Sequence, residues 1–297
     1  MFDPSLPYPS TRQPVSGDCA IATSQPLAAQ AGMAMLQAGG TAVDAAIAAA
    51  MALVVVEPTG CGLGSDAYAI VWDGARLSGL NASGRAPAAW RPELFAGQSR
   101  MPERGWPSVT VPGAVSGWIA LWRRFGTLPL DQIAAPALRF AEEGFVVSPV
   151  IARLWHLDGQ ALSAQPGFAE CFLPGGRAPK AGDRIRLPGH AATLRRIVET
   201  EGKTFYRGAL AQRIADHAAA HGGHLTADDM AAHQPAWVDT LHTRFGDHLI
   251  HELPPNGQGL GALIGLGVLD RLDWQAAGVD DARTHHLAIE ATKLGLV

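Results

Sequence analysis

Asn81, Ser83 and Arg85 stand two residues apart at the end of an alternating segment that runs into Ala86-Pro87. Residues two apart on an extended chain share a face, so these three side chains look the same way. An amide, a hydroxyl and a guanidinium in one row make a grip for a carboxylate or an amide, because arginine presents a planar fork to such groups. An arginine that satisfies loop carbonyls would show the same spacing, and the row alone leaves both readings open. A second candidate lies upstream, where Gly60, Gly62 and Gly64 follow Glu57-Pro58. Glycines let a backbone take positive φ or lie close to a ligand or another backbone, as in the lining of many reacting centres. A tight helix-to-strand turn would use them equally well.

Other patterns point to chemistry less firmly. Gly257, Gly259 and Ala262 fit G-x-G-x-x-A, and Asp280 or Asp281 lies about 20 residues on, as in a nucleotide-dependent oxidoreductase. Pro254 and Pro255 separate the preceding strand from the glycines, and no strand precedes those aspartates, so glycines that let helices pack are the better account. The absence of G-x-S-x-G excludes an α/β-hydrolase elbow. The 11 histidines include no H-E-x-x-H, and the adjacent pair His285-His286 points to different helix faces, so no metal or other cofactor is expected. His217, His221 and His224 fall at the polar end of a helix, and Glu142-Glu143 reads as a solvent face. Cys19, Cys61 and Cys171 are odd in number and far apart, which favours reduced thiols, with only Cys61 in the glycine loop.

These residues need elements to hold them. Ala42 to Val56 is apolar nearly all round, so it belongs at the centre of a layered domain, and the glycine loop after it opens at the edge of the core. Ala20 to Ser24 reads as a short strand. Pro26 suits a first helical turn, and that helix closes at Gly39-Gly40, making it an antiparallel neighbour of the central helix. Ala67 to Trp72 and Leu77 to Asn81 flank Asp73-Gly74, a hairpin signal. Leu130 to Gly144, Leu194 to Thr200, Leu210 to His221 and Gly259 to Leu269 read as helices, and Thr226 as an N-cap. Arg244 to Leu253 alternates as one strand. Thr284 to Val297 reads as a helix with no closing signal, as though the chain stopped inside an element.

Composition narrows the classes. The 297 residues are 47% hydrophobic and 17% charged, enough for a sizeable core. No repeat or linker divides them, so residues 1–297 are expected to belong to one domain. A net charge of −4, with lysine only at 180, 203 and 293, leaves no basic footprint for nucleic acid or a membrane surface. The start MFDPSLPYPSTRQPVSGD has no basic opening and no apolar run, and no segment approaches the roughly 20 apolar residues of a span without a break. Cytoplasm is the expectation, with the periplasm open to a chain whose signal has been removed.

Six stretches taken together carry a family resemblance: QPLAAQAGMAMLQAGGTAVDAAIAAAMALVVVEP, the glycine loop, SVTVPGAVSGW, FGTLPLDQIAAPALRFAEEGFVV, FYRGALAQRIADHAAAHGGHLTADDMAAH and the HELPP segment. In this order, from about Ala20 to the last residue, they resemble the gamma-glutamyltransferase family of N-terminal-nucleophile (Ntn) hydrolases. The resemblance implies an α+β fold, an αββα sandwich in which antiparallel sheets lie between helical layers. It implies a self-cleaving precursor whose large subunit this chain resembles and whose small subunit completes the sandwich and begins at the catalytic Thr. That Thr attacks a γ-glutamyl amide with its own α-amine as base, and the acyl-enzyme passes the acyl group to water or an amine. No residue of this chain is then the nucleophile. Arg85, Ser83, Asn81 and the backbone of Gly62 and Gly64 are the expected substrate contacts. In glutathione-cleaving members an Arg stands three residues before the Ala-Pro pair, where this chain has Ser83, and Arg85 lies two residues on. The run Gly62-Leu63-Gly64-Ser65-Asp66 is similar to that of members acting as acylases or oxamate amidohydrolases, which keeps a small dicarboxylic monoamide (oxamate or glutaryl type) as an alternative substrate. Alone, such a chain should expose one apolar face of its sheet.

Overall fold

The computed structural model describes residues 16–274, 278 and 280–296. Helices α1 (Pro26–Gln37) and α2 (Ala42–Val56) lead into the hairpin β1 (Ala67–Trp72) and β2 (Leu77–Ala82). Then come α3 (Ala114–Phe125), α4 (Leu130–Glu143), β3 (Phe145–Val146), α5 (Pro149–Leu162), α6 (Phe168–Phe172) and β4 (Arg184–Ile185). Four helices follow, α7 (Pro188–Thr200), α8 (Lys203–Arg207), α9 (Ala209–Ala220) and α10 (Ala227–Ala232). The chain continues through β5 (Ala236–Val238), β6 (Leu241–Phe245), β7 (His248–Glu252), α11 (Gly259–Leu269) and α12 (Ala282–Gly295).

The apolar composition of α2 has the expected consequence. Eleven of its residues are buried, and it packs against α1, α3 and α4. Its one charged residue, Asp44, is fully buried and closes a capping box with Thr41. The same carboxylate accepts from the backbone N–H and hydroxyl of Thr127, so each oxygen it takes from water is repaid by a protein donor.

Strand β2 is the middle of a three-stranded antiparallel sheet ordered β1-β2-β5. Asn81 lies opposite Tyr68 on one side and Ala236 on the other. The hairpin turn is set by Asp73, whose Oδ1 accepts from the N–H groups of Ala75 (2.9 Å) and Arg76 (2.8 Å), while Gly74 takes φ +99°. Helix α3 lies across the buried face of this hairpin at Gly117, where a Cβ would come 2.9 Å from the Ala82 Cβ. The other face is open along β1: Tyr68, Ile70 and Trp72 alternate outward, with Trp72 61% exposed.

Several boundaries differ from those read in the sequence. Ala20 to Ser24 forms no strand. The segment from Arg244 is not one strand: β6 and β7 fold back as a hairpin at Gly246, whose φ of +56° makes the turn. Helix α7 begins at Pro188, because proline fits a first turn and the His190–Thr193 stretch continues it. The last helix does close, with the Leu296 N–H donating to Lys293 just after Gly295. Helices α3, α5, α6 and α8 were not foreseen. No helix among the described residues is long and apolar enough to cross a membrane.

Candidate functional site

Beyond the end of β2 the chain makes one close crossing. Ser83–Arg85 runs against Val111–Gly113, with the Val111 N–H donating to the Arg85 carbonyl at 3.0 Å. A Cβ on Gly84 would overlap the Val111 carbonyl, and one on Gly113 would overlap that of Ala82, so only glycine fits at either place. The loop before β1 ties into the same crossing. The Ser65 carbonyl accepts from Gly113 (3.0 Å) and Ala114 (2.8 Å), capping the start of α3, and Asp66 Oδ1 accepts from the Gly84 N–H at 3.1 Å.

A cavity of about 730 Å³ opens over this crossing. Asn81, Ser83 and Arg85 all line it, and chain distant in sequence adds Asp229, His233 and Asn256. Asn81, Ser83 and Asn256 bond to one another. The Ser83 hydroxyl donates to Asn81 Oδ1 (2.8 Å) and accepts from Asn256 Nδ2 (2.9 Å), and Asn81 Nδ2 donates to Asn256 Oδ1 (2.9 Å). Asp229 Oδ1 accepts from the Ala88 N–H at 2.9 Å, and its other oxygen caps α10 through Thr226. The side chain of Arg85 is exposed and makes no hydrogen bond or ion pair among the described residues. Its guanidinium is thus the cation that this cavity offers.

Gly62 and Gly64 do not line the cavity. Neither takes positive φ; a Cβ on Gly62 would meet nothing closer than Ser65 Oγ at 3.7 Å, and one on Gly64 nothing within 4 Å. The freedom expected of these glycines is not used within this chain, and it is their neighbours Ser65 and Asp66 that reach the crossing.

His233 sits half-buried in the cavity wall, with Nε2 2.9 Å from Ser116 Oγ. Its ring stacks on that of Tyr206 at 5.3 Å. The buried Tyr206 hydroxyl donates to the Pro112 carbonyl (2.8 Å) and accepts from the Ser116 N–H (3.0 Å). Burial pushes the Tyr206 phenol up to about 12, so it stays protonated. Burial also holds His233 below the usual histidine range; Asp66 opposes this and Arg85 adds to it. Cys61 is a poor nucleophile here, because burial and nearby Glu57 both raise its thiol.

The dinucleotide pattern has a packing explanation. Strand β7 belongs to a two-stranded antiparallel sheet, not to a parallel βαβ unit. A Cβ on Gly259 would meet Glu252 Oε2 at 2.5 Å, and one on Gly261 would lie 2.8 Å from the Gly295 carbonyl, so these glycines seat α11 against β7 and α12. Asn256, in the same segment, faces the cavity through its bonds to Asn81 and Ser83. Sequence reasoning singled out the segments that carry His233, Asp66 and Asn256 but not these residues, whose site contacts are made with distant parts of the chain. Among the described residues no three His, Cys, Asp or Glu side chains gather to hold a metal ion.

Known proteins share this fold. A cephalosporin acylase from Bacillus halodurans superposes with a TM-score of 0.89 at 44% identity, over 100% of this chain and 57% of that one. The gamma-glutamyltranspeptidase of Helicobacter pylori gives a TM-score of 0.90 at 26% identity, over 96% and 84%. The fold is the α+β Ntn-hydrolase fold of these neighbours. Among curated proteins, an oxamate amidohydrolase proenzyme of Klebsiella pneumoniae is 38% identical over 90% of this chain and 52% of its own length. A glutathione hydrolase-like proenzyme of Bacillus subtilis is 34% identical over 90% and 51%. The chain spans about half the length of these curated relatives. The family model described as gamma-glutamyltranspeptidase matches residues 28–297, and the chain belongs to that family.

Proposed function

We propose that this chain is the large-subunit part of an amide hydrolase or acyltransferase made as a precursor. The nucleophile is the Thr that begins a small subunit cut from the same precursor. Its hydroxyl oxygen bonds to the amide carbonyl carbon while its α-amine takes the hydroxyl proton. Collapse of the tetrahedral intermediate breaks the C–N bond, and the departing amine leaves with that proton. Water or another amine then accepts the acyl group. This chain contributes the grip on the acyl portion, and the open face of Tyr68, Ile70 and Trp72 is where the small subunit packs.

The observation that carries this reading is Arg85: a cation without a protein partner among the described residues, in a cavity where the neighbouring Asn81, Ser83 and Asn256 bond to one another. Such an arginine suits a carboxylate on the acyl group, and a γ-glutamyl amide carries one. Asn81 and Ser83 shape the wall beside it. Gly62 and Gly64 are proposed as backbone lining on the side that the small subunit closes. A small dicarboxylic monoamide of the oxamate or glutaryl type is the second reading. It is favoured by Ser83, which stands where glutathione-cleaving members carry arginine and is held by Asn81 and Asn256. The name of the Klebsiella relative, an oxamate amidohydrolase proenzyme, supports it as well.

Intact mass and N-terminal sequencing of the full-length gene product test the core of this proposal. A second chain beginning with Thr is expected, and a single uncut chain would overturn it. Turnover of a γ-glutamyl anilide compared with oxamate and a glutaryl anilide then separates the two substrate readings.

A further inference from the structure

His233 is shared by two cavities, the one over Arg85 and a neighbouring one of about 370 Å³ that includes Ser116 and Tyr206. Its protonation pattern follows from its partners. Ser116 has a single hydroxyl proton, and the Gly113 carbonyl 2.7 Å away can only accept, so that proton is directed there. The 2.9 Å contact between Ser116 Oγ and His233 Nε2 therefore needs the imidazole as donor. Neutral His233 carries its hydrogen on Nε2, and Nδ1 is a lone-pair acceptor with no partner among the described residues. Stacking on Tyr206, itself fixed by Pro112 and Ser116, holds the ring in place before any ligand arrives.

Most of the remaining polar side chains in the Arg85 cavity are already engaged. Asn81, Ser83 and Asn256 bond to one another, and Asp229 is taken by Ala88 and Thr226. Arg85, His233 and the exposed Gln234 are left to meet a ligand. We infer that His233 is a specificity-determining residue of this cavity, offering Nδ1 to an N–H donor on the same ligand whose carboxylate Arg85 holds. The inference rests on the amide-hydrolase reading and narrows it. A γ-glutamyl group carries an α-carboxylate and an α-ammonium on one carbon, whereas a glutaryl group carries a carboxylate without the ammonium.

Two substitutions separate the acceptor from the wall. In His233→Gln the terminal amide nitrogen takes the place of Nε2 and keeps a donor for Ser116, with nothing at Nδ1. In His233→Asn the amide oxygen takes the place of Nδ1 and the Ser116 contact is lost. The kcat/KM of the processed enzyme is measured for γ-L-glutamyl-p-nitroanilide and glutaryl-p-nitroanilide. His233→Gln should lower the γ-glutamyl over glutaryl ratio about tenfold, the worth of one hydrogen bond, and His233→Asn should keep most of it. A wall-only role predicts the reverse order, or equal losses on both substrates, and either result would overturn the inference. Calorimetric binding of L-glutamate and glutarate gives the same comparison without turnover. If neither anilide is cleaved but His233→Gln still loses the preference for L-glutamate, the activity reading fails and the role of His233 stands. If wild type and His233→Gln bind the two acids with the same ratio, the role of His233 fails whatever the activity.

Discussion

The chain has two sets of glycines near its candidate site, and they behave in opposite ways. Gly60, Gly62 and Gly64 are crowded together in sequence, yet a Cβ on any of them would meet nothing closer than 3.4 Å. Gly84 and Gly113 stand alone in sequence, and each faces a carbonyl that a Cβ would overlap. Two backbones can touch when one atom is missing on each side, so a tight crossing needs single glycines at matched positions and no cluster. The crossing fixes Arg85, because the Val111 N–H holds the Arg85 carbonyl and Asp66 holds the Gly84 N–H.

The largest expected effect comes from filling the crossing. Gly84→Ala would push a methyl group into the Val111 carbonyl, which is backbone and cannot swing aside as a side chain would. A loss of about 3 kcal/mol or more is expected, in the range of severe overpacking. Thermal unfolding of the variant would show it as a drop of several degrees or a failure to accumulate folded protein. A melting temperature equal to wild type would mean that the two segments do not touch as described.

Arg85→Ala removes the group that the crossing positions and leaves the crossing itself intact. The side chain has no folding partner among the described residues, so stability and precursor cleavage should hardly change. Loss of a charge-assisted contact should cost about 1.5 to 3 kcal/mol in transition-state binding, roughly 10- to 150-fold in kcat/KM and expressed mainly as a higher KM. An unchanged KM would take Arg85 out of the site.

The contrast also shows what the sequence could convey. The central helix was legible because apolar residues all round it admit few placements other than burial, and the β1–β2 hairpin because Asp73 and Gly74 set the turn through local bonds. The row Asn81, Ser83, Arg85 was legible from its two-residue spacing, and one cavity does collect the three, although β2 ends at Ala82 and it is the crossing with Val111–Gly113, not strand alternation, that holds Ser83 and Arg85 there. His233 and Asn256 were not, since each reaches the site through a contact across long stretches of chain that no local period encodes, and Asp66 was not because its bond to Gly84 depends on the β1–β2 hairpin bringing the two loops together. Ser116 to His233 spans 117 residues and Asn81 to Asn256 spans 175. The hairpin at Gly246 was missed for a different reason: the run read from Arg244 holds only the end of β6, and a single glycine with positive φ breaks it from β7.

Acid should weaken the fold through two histidines, one in the wall of the site and one on α7 that packs against α6. His190, packed against Phe172, and His233 both have pKa values lowered by burial, so the unfolded chain binds protons more readily than the fold does. Wherever the unfolded state holds more protons, stability rises with pH. The contribution is therefore intact above about pH 6.5, the ordinary histidine value, and is lost as pH falls from there toward the lowered folded values. Denaturant midpoints at pH 7.5 and 5.5 should show the decrease, and it should be smaller in His190→Phe. An identical pH slope in that variant would mean that His190 titrates as if exposed.

The smallest effect should come from the other side of the comparison. Gly64 is exposed, has ordinary φ and has no neighbour within 4 Å of a Cβ, so Gly64→Ala should change stability by no more than about 0.5 kcal/mol. A slight gain is physically reasonable, because alanine restricts the unfolded chain more than glycine does. Kinetics of the processed enzyme sharpen the result. If the small subunit closes over this loop and brings substrate to its backbone, KM should rise although folding does not suffer, and by less than in Arg85→Ala, since a methyl group narrows a wall without removing a charge. If neither stability nor KM moves, the glycines from 60 to 64 serve only the turn, and the single glycines at 84 and 113 alone shape the site.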